Sequence, residues 1–95
     1  MDSLGSLLFG RLFGDYESAD KVGRTEIEGY TVDTCDTVDC GYETAIWYQD
    51  NAIVIVERYS DREQAISGHD KWVEFCKTKP STVYSVQLDE ECELK

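Results

Sequence analysis

The sequence predicts an α+β domain: a small, mainly antiparallel sheet with one principal helix packed on a face. Three observations carry that prediction. Ile53, Val54, Ile55 and Val56 are consecutive β-branched residues, stiff at χ1 and suited to a pleated strand. Ser60 is followed by Glu63, and then by Ala65, Ile66, His69, Trp72, Val73 and Cys76 at helical spacing. That is a capping box opening an amphipathic helix. Finally, the run from Val83 to Leu88 alternates with period 2, as a half-buried strand does.

In chain order, residues 1–14 form an apolar arm or short N-terminal helix. Leu4, Leu8 and Leu12 fall along one side, with Phe9 and Phe13 beside them, and Gly5, Gly10 and Gly14 weaken it as an isolated helix. Such an arm either docks on the protein's own core or grips a partner or a second copy, with Leu8, Phe9 and Leu12 as the contact. Residues 15–26 are polar and read as a linker, and residues 27–88 form the α+β core. Within it, Ile27 to Cys40 fits two short strands or one bulged strand, because Thr, Val and Tyr favour sheets. Glu43 to Tyr48 is a strand, Gln49-Asp50-Asn51 a turn, and Ala52 to Tyr59 the returning strand of a hairpin. The helix spans 61–78 and Pro80 stops it. The last strand turns Tyr84, Val86 and Leu88 inward, and residues 89–95 are an acidic, frayed tail.

Ninety-five residues make one domain, and no stretch is long enough for a transmembrane helix. The opening MDSLGSLLFGRLFG carries Asp2 early and Arg11 in its middle, unlike a secretory signal. The expected location is therefore cytoplasmic, with free thiols. The formal charge is −11, and from Glu26 to Asp50 there are seven acids and no Lys or Arg. A chain so charged does not attract nucleic acid or an anionic membrane. It either keeps itself soluble or meets a protein partner with a basic surface, for which Asp33, Asp36, Asp39 and Glu43 are the candidate contacts.

The chemistry-bearing residues are few. Cys35 and Cys40 stand at the wide end of zinc-ligand spacing, and no second close pair accompanies them. His69 and Cys76 are two helical turns apart, about 10 Å by rise per residue, too far to chelate one ion alone. A metal-binding module using Cys35, Cys40, Cys76 and Cys92 is the alternative reading, and no cofactor is expected. The lone His69 on an apolar stripe reads as a hydrogen-bonded core histidine. Its neighbour Gly68 lets a backbone or ring approach closely, and Cys76 reads as a small buried hydrophobe. No phosphate loop, serine elbow or metalloprotease motif is present. An enzyme is not expected.

The segment from Glu43 to Phe75 resembles short uncharacterised bacteriophage-encoded proteins. They carry a "YET" strand, an "ERY" strand and an E-x-A-x-x-G-H-x-x-W helix. The matching residues are Tyr42, Glu43, Thr44, Glu57, Arg58, Tyr59, Glu63, Ala65, Gly68, His69 and Trp72. The resemblance covers about a third of the chain and supplies no catalytic residues. It implies an accessory protein acting inside a bacterial host. Together these readings predict a non-enzymatic interaction protein that binds a host or virion protein. One form of it is an acidic mimic of nucleic acid occupying a basic surface.

Overall fold

The computed structural model describes residues 20–37 and 41–95. The elements run β1 (Asp20–Ile27), β2 (Tyr30–Thr37), β3 (Gly41–Tyr48), β4 (Val54–Tyr59), α1 (Arg62–Cys76), β5 (Thr82–Ser85) and β6 (Glu90–Glu93). Strands β1 to β4 form an antiparallel sheet in sequence order, and β5 pairs with β6 in a second, two-stranded sheet. Helix α1 packs across one face of the larger sheet. The fold is α+β, as the sequence predicts.

Both ends of the described core differ from expectation. Residues 20–26, assigned above to a linker, form most of β1. Where Ile27 to Cys40 fits two short strands or one bulged strand, the structure has one strand, β2, as the second half of a hairpin with β1, and the register shift lies on β1 between Lys21 and Gly23. The turn of this hairpin is Glu28-Gly29, both at positive φ (54° and 89°), the geometry that matches the twist of two-residue hairpins. A Cβ on Gly29 would lie 2.8 Å from the Tyr48 ring, so glycine is required there twice over.

The C-terminal end differs more. Residues 89–95 are not frayed: β6 pairs with β5, and Leu94 is completely buried in the core. The phase of β5 is also opposite to the prediction. Val83 and Ser85 are buried, whereas Tyr84, Val86 and Leu88 are exposed. The reason is that the alternation does not continue as a strand. The Ser85 hydroxyl accepts from Leu88 N–H, and its carbonyl accepts from Asp89 N–H, closing a turn over 86–89.

Each face of the larger sheet carries its own cluster. Toward α1, Tyr30, Val32, Ile46, Val54 and Val56 pack with Cys76, Val83 and Leu94. On the other side, Cys35, Ala45, Trp47 and Ile55 form a second cluster, with Ile53 against it. β4 is an edge strand of this sheet, yet with the preceding Ile53 it feeds both clusters, Val54 and Val56 on one face and Ile53 and Ile55 on the other, which accounts for the unbroken run at 53–56.

The start of α1 is one residue later than predicted. Asp61, not Ser60, is the N-cap, and its side chain accepts from Gln64 N–H at 2.9 Å. Gln64 reaches back and accepts from the Ser60 N–H and hydroxyl. Ser60-x-x-Glu63 and Asp61-x-x-Gln64 both satisfy the capping-box pattern. An ionised acceptor gains more at the positive end of the helix. Ala65, Gly68, His69 and Cys76 are buried, whereas Ile66, expected on the inner stripe, is exposed.

Candidate partner-binding surface

The acidic candidates do not make a free acidic face. Asp33 lies on β2, is 1% exposed, and receives Lys21 Nζ at 2.7 Å, with Arg24 at 3.8 Å. A register shift between Lys21 and Gly23 turns Lys21 onto the face that Asp33 occupies. Glu43 on β3 is buried too and pairs with Arg58 across the β3–β4 ladder at 3.2 Å. Asp36 is half-buried on β2. The expectation that Asp33 and Glu43 project their charges to a partner is therefore corrected: both face cations of their own chain. Asp39, Cys40, Leu8, Phe9 and Leu12 lie outside the described residues.

Among the described cysteines, Cys35 lies apart from the other two, and Cys92 packs against the cluster that holds Cys76. Cys35 and Cys76 are buried in clusters on opposite faces of the sheet, and Cys92 is half-buried on β6. Among the described residues no group of three or more His, Cys, Asp or Glu side chains is placed to hold a metal. Burial pushes the Cys76 thiol up to about 11, so at neutral pH it stays protonated and behaves as a hydrophobe.

His69 is hydrogen-bonded at both ring nitrogens, to the Thr34 hydroxyl at 2.8 Å and to the Thr25 hydroxyl at 2.9 Å. Thr34 continues to the Thr44 hydroxyl, and Thr44 to the Tyr59 hydroxyl at 2.9 Å. One hydroxyl from each strand of the sheet thus enters a single chain with the helix histidine. Such a chain fixes strand order and helix position at once. Burial first, then Glu57, pushes the Tyr59 phenol up to about 12. Gly68 is bare because the Tyr59 ring lies where its Cβ would be. The sequence marks His69 as a hydrogen-bonded core histidine and Gly68 as a site of close approach, but not their partners, since isolated threonines at 25, 34 and 44 carry no spacing that marks them.

The exposed apolar surface lies elsewhere. Trp72 and Phe75 on α1, with Val83 and Tyr84 on β5, line a groove of about 510 Å³ that Lys71, Thr82 and Glu91 complete. Trp72 and Phe75 meet edge-on, ring centroids 5.3 Å apart. Trp72 is fixed by its indole N–H, which donates to Glu57 at 2.8 Å, and Lys71 pairs with the same carboxylate at 2.7 Å. Burial pushes the Glu57 carboxyl up, but the Lys71 and Trp72 hydrogen bonds outweigh it and hold the group below its ordinary range. Tyr84 in the groove wall is 46% exposed, and farther along the same hairpin Val86 is 39% and Leu88 60% exposed. Asp89, Glu90, Glu91 and Glu93 are exposed on the same hairpin. No salt bridge joins any of these four carboxylates to a described residue.

Sequence reasoning missed this surface because it placed Tyr84, Val86 and Leu88 inside. The signal that could have found it is Leu94, an apolar residue isolated among charges that earns burial only if the tail folds back. Among the described residues no helix is long and apolar enough to cross a membrane. No protein-family model matches the chain, and neither a curated protein nor a solved structure matches it.

Proposed function

We propose that this chain is a non-enzymatic protein-binding module that meets its partner through the groove between α1 and the β5–β6 hairpin. The observation that carries the reading is the placement of exposed apolar side chains. Ile66, Tyr84, Val86 and Leu88 are the large hydrophobics exposed among the described residues, and three of them sit on one hairpin beside that groove. A contiguous apolar patch with aromatic residues, rimmed by polar groups, is what recognition surfaces share. The chemistry inside the fold supports binding over catalysis: the one histidine has both nitrogens engaged, and the Cys76 thiol is protonated. The resemblance to phage-encoded proteins supplies the setting, an accessory protein acting on a host or virion protein in the bacterial cytoplasm. Mimicry of nucleic acid loses two of its four carboxylates, Asp33 and Glu43, to internal ion pairs.

The test is affinity capture from bacterial lysate with wild type, a Tyr84→Ser/Leu88→Ser variant and an Ile66→Ser control. A captured protein retained by wild type and Ile66→Ser but lost by the hairpin variant supports the reading. Retention by all three places the contact elsewhere.

A further inference from the structure

We infer that the occupant of this groove is a basic segment of the partner carrying one apolar or aromatic anchor, an inference that rests on the protein-binding reading above. The groove supplies the anchor's site. Its walls are Trp72, Phe75, Val83 and Tyr84, and Trp72 is held in place by Glu57, so the pocket is formed before anything enters. A pre-formed pocket between aromatic walls is where one buried side chain supplies most of the binding energy.

Charge complementarity supplies the rest of the identity. The carboxylates near the groove are of two kinds. Glu57 is already matched by Lys71. Glu91 lines the groove, and Asp89, Glu90 and Glu93 are exposed on the same hairpin, with no described cation in a salt bridge to any of the four. The net charge of −11 deepens this local excess. A Lys- or Arg-bearing segment is drawn to such a rim and speeds its encounter, whereas an acidic segment is repelled. The same charges argue against a second copy as occupant. A two-fold contact through this patch would bring two like-charged hairpins into one interface.

The experiment uses the full chain with Trp47→Phe, so that Trp72 is the sole tryptophan and its emission is read by excitation selective for indole over the tyrosines. Three synthetic hexapeptides are titrated: Lys-Arg-Leu-Phe-Lys-Arg, the same peptide with Ala-Ala at its centre, and Glu-Glu-Leu-Phe-Glu-Glu. The basic, anchored peptide is expected to bind at least about tenfold more tightly than either of the others. Its affinity should fall as salt rises and drop at least about tenfold in Tyr84→Ser and in Glu91→Lys. A Glu63→Lys control on the first turn of α1 should bind as wild type does. Equal binding of the acidic peptide, or no dependence on salt, overturns the basic-segment inference. So does failure of all three peptides, even while lysate capture still depends on Tyr84 and Leu88. In those cases the protein-binding reading stands and only the partner's chemistry is wrong. Loss of capture dependence on those residues overturns both. Sedimentation that shows a dimer broken by Tyr84→Ser names a second copy as the occupant instead.

Discussion

Asp33 and Glu91 are both carboxylates on β strands, and the molecule treats them in opposite ways. In the four-stranded sheet Asp33 faces inward, 1% exposed, with Lys21 against it. On the hairpin Glu91 faces water, beside an aromatic groove and with no salt bridge to a described residue. The apolar residues divide the same way. The sheet buries Val32, Ile46 and Val54, while the hairpin buries Val83 and Leu94 yet leaves Tyr84, Val86 and Leu88 outside. An acidic count therefore does not locate a function. A charge matched within the fold serves the fold, and an unmatched charge beside uncovered apolar surface is available to something else.

The sharpest way to break that comparison is within the hairpin itself. Leu94→Ala empties a fully buried site and should cost about 2–5 kcal/mol, whereas Leu88→Ala should stay within about 0.5 kcal/mol. Urea midpoints would decide it, and equal losses would mean that the hairpin does not divide into anchor and display. Next in size is the carboxylate pair. Asp33→Asn removes the charged partner of Lys21 from a buried position and should cost about 1–3 kcal/mol. Glu91→Gln should leave the midpoint within about 0.5 kcal/mol of wild type. A costly Glu91→Gln would show that the hairpin's acids also hold the fold together.

The same contrast explains what was legible in the sequence. Ile53 to Val56 and the residues after Asp61 announced β4 and α1, because β-branched runs and caps act locally. β1 did not announce itself. An edge strand needs little more than Thr25 and Ile27 turned inward, and in DKVGRTEI the two aliphatic residues, Val22 and Ile27, fall in opposite phases of a period-2 pattern, so nothing displays it. Asp33 reads as outward because its partner Lys21 is twelve residues away, in a segment whose polar composition suggests a linker. The hairpin misled for a different reason: period 2 gives two phases, and the more apolar one, Tyr84-Val86-Leu88, is the exposed one. A core strand buries its more apolar phase, whereas this hairpin displays it on a surface that stays uncovered.

A smaller effect tests the helix that forms one wall of the groove. Asp61→Ala removes the acceptor for Gln64 N–H and should cost about 1 kcal/mol. Ser60→Ala loses only an exposed hydroxyl contact to Gln64 and should cost less. The reverse order in urea melts would restore Ser60 as the cap.

Titrating one group gives the smallest change, and its sign follows from where His69 sits. Burial lowers the His69 pKa from its ordinary 6.5, and the carboxylates of Asp70 on α1 and Asp33 on β2 oppose that only in part. Between the folded and unfolded values the unfolded chain holds the extra proton, so stability rises with pH through that window. The contribution is complete above pH 6.5 and is lost as the pH falls through the folded value. Glu57, held below 4.5, adds a loss of the same sign, but only once the pH falls below that ordinary carboxylate value. Urea midpoints measured from about pH 8 to about pH 5 separate the two, because Glu57 stays ionised throughout. Wild type should weaken across this range, and His69→Gln, though less stable, should weaken less. An unchanged gap between them at both ends would mean that the folded and unfolded histidines titrate alike, and that the Thr25 and Thr34 hydroxyls hold the ring as readily charged as neutral.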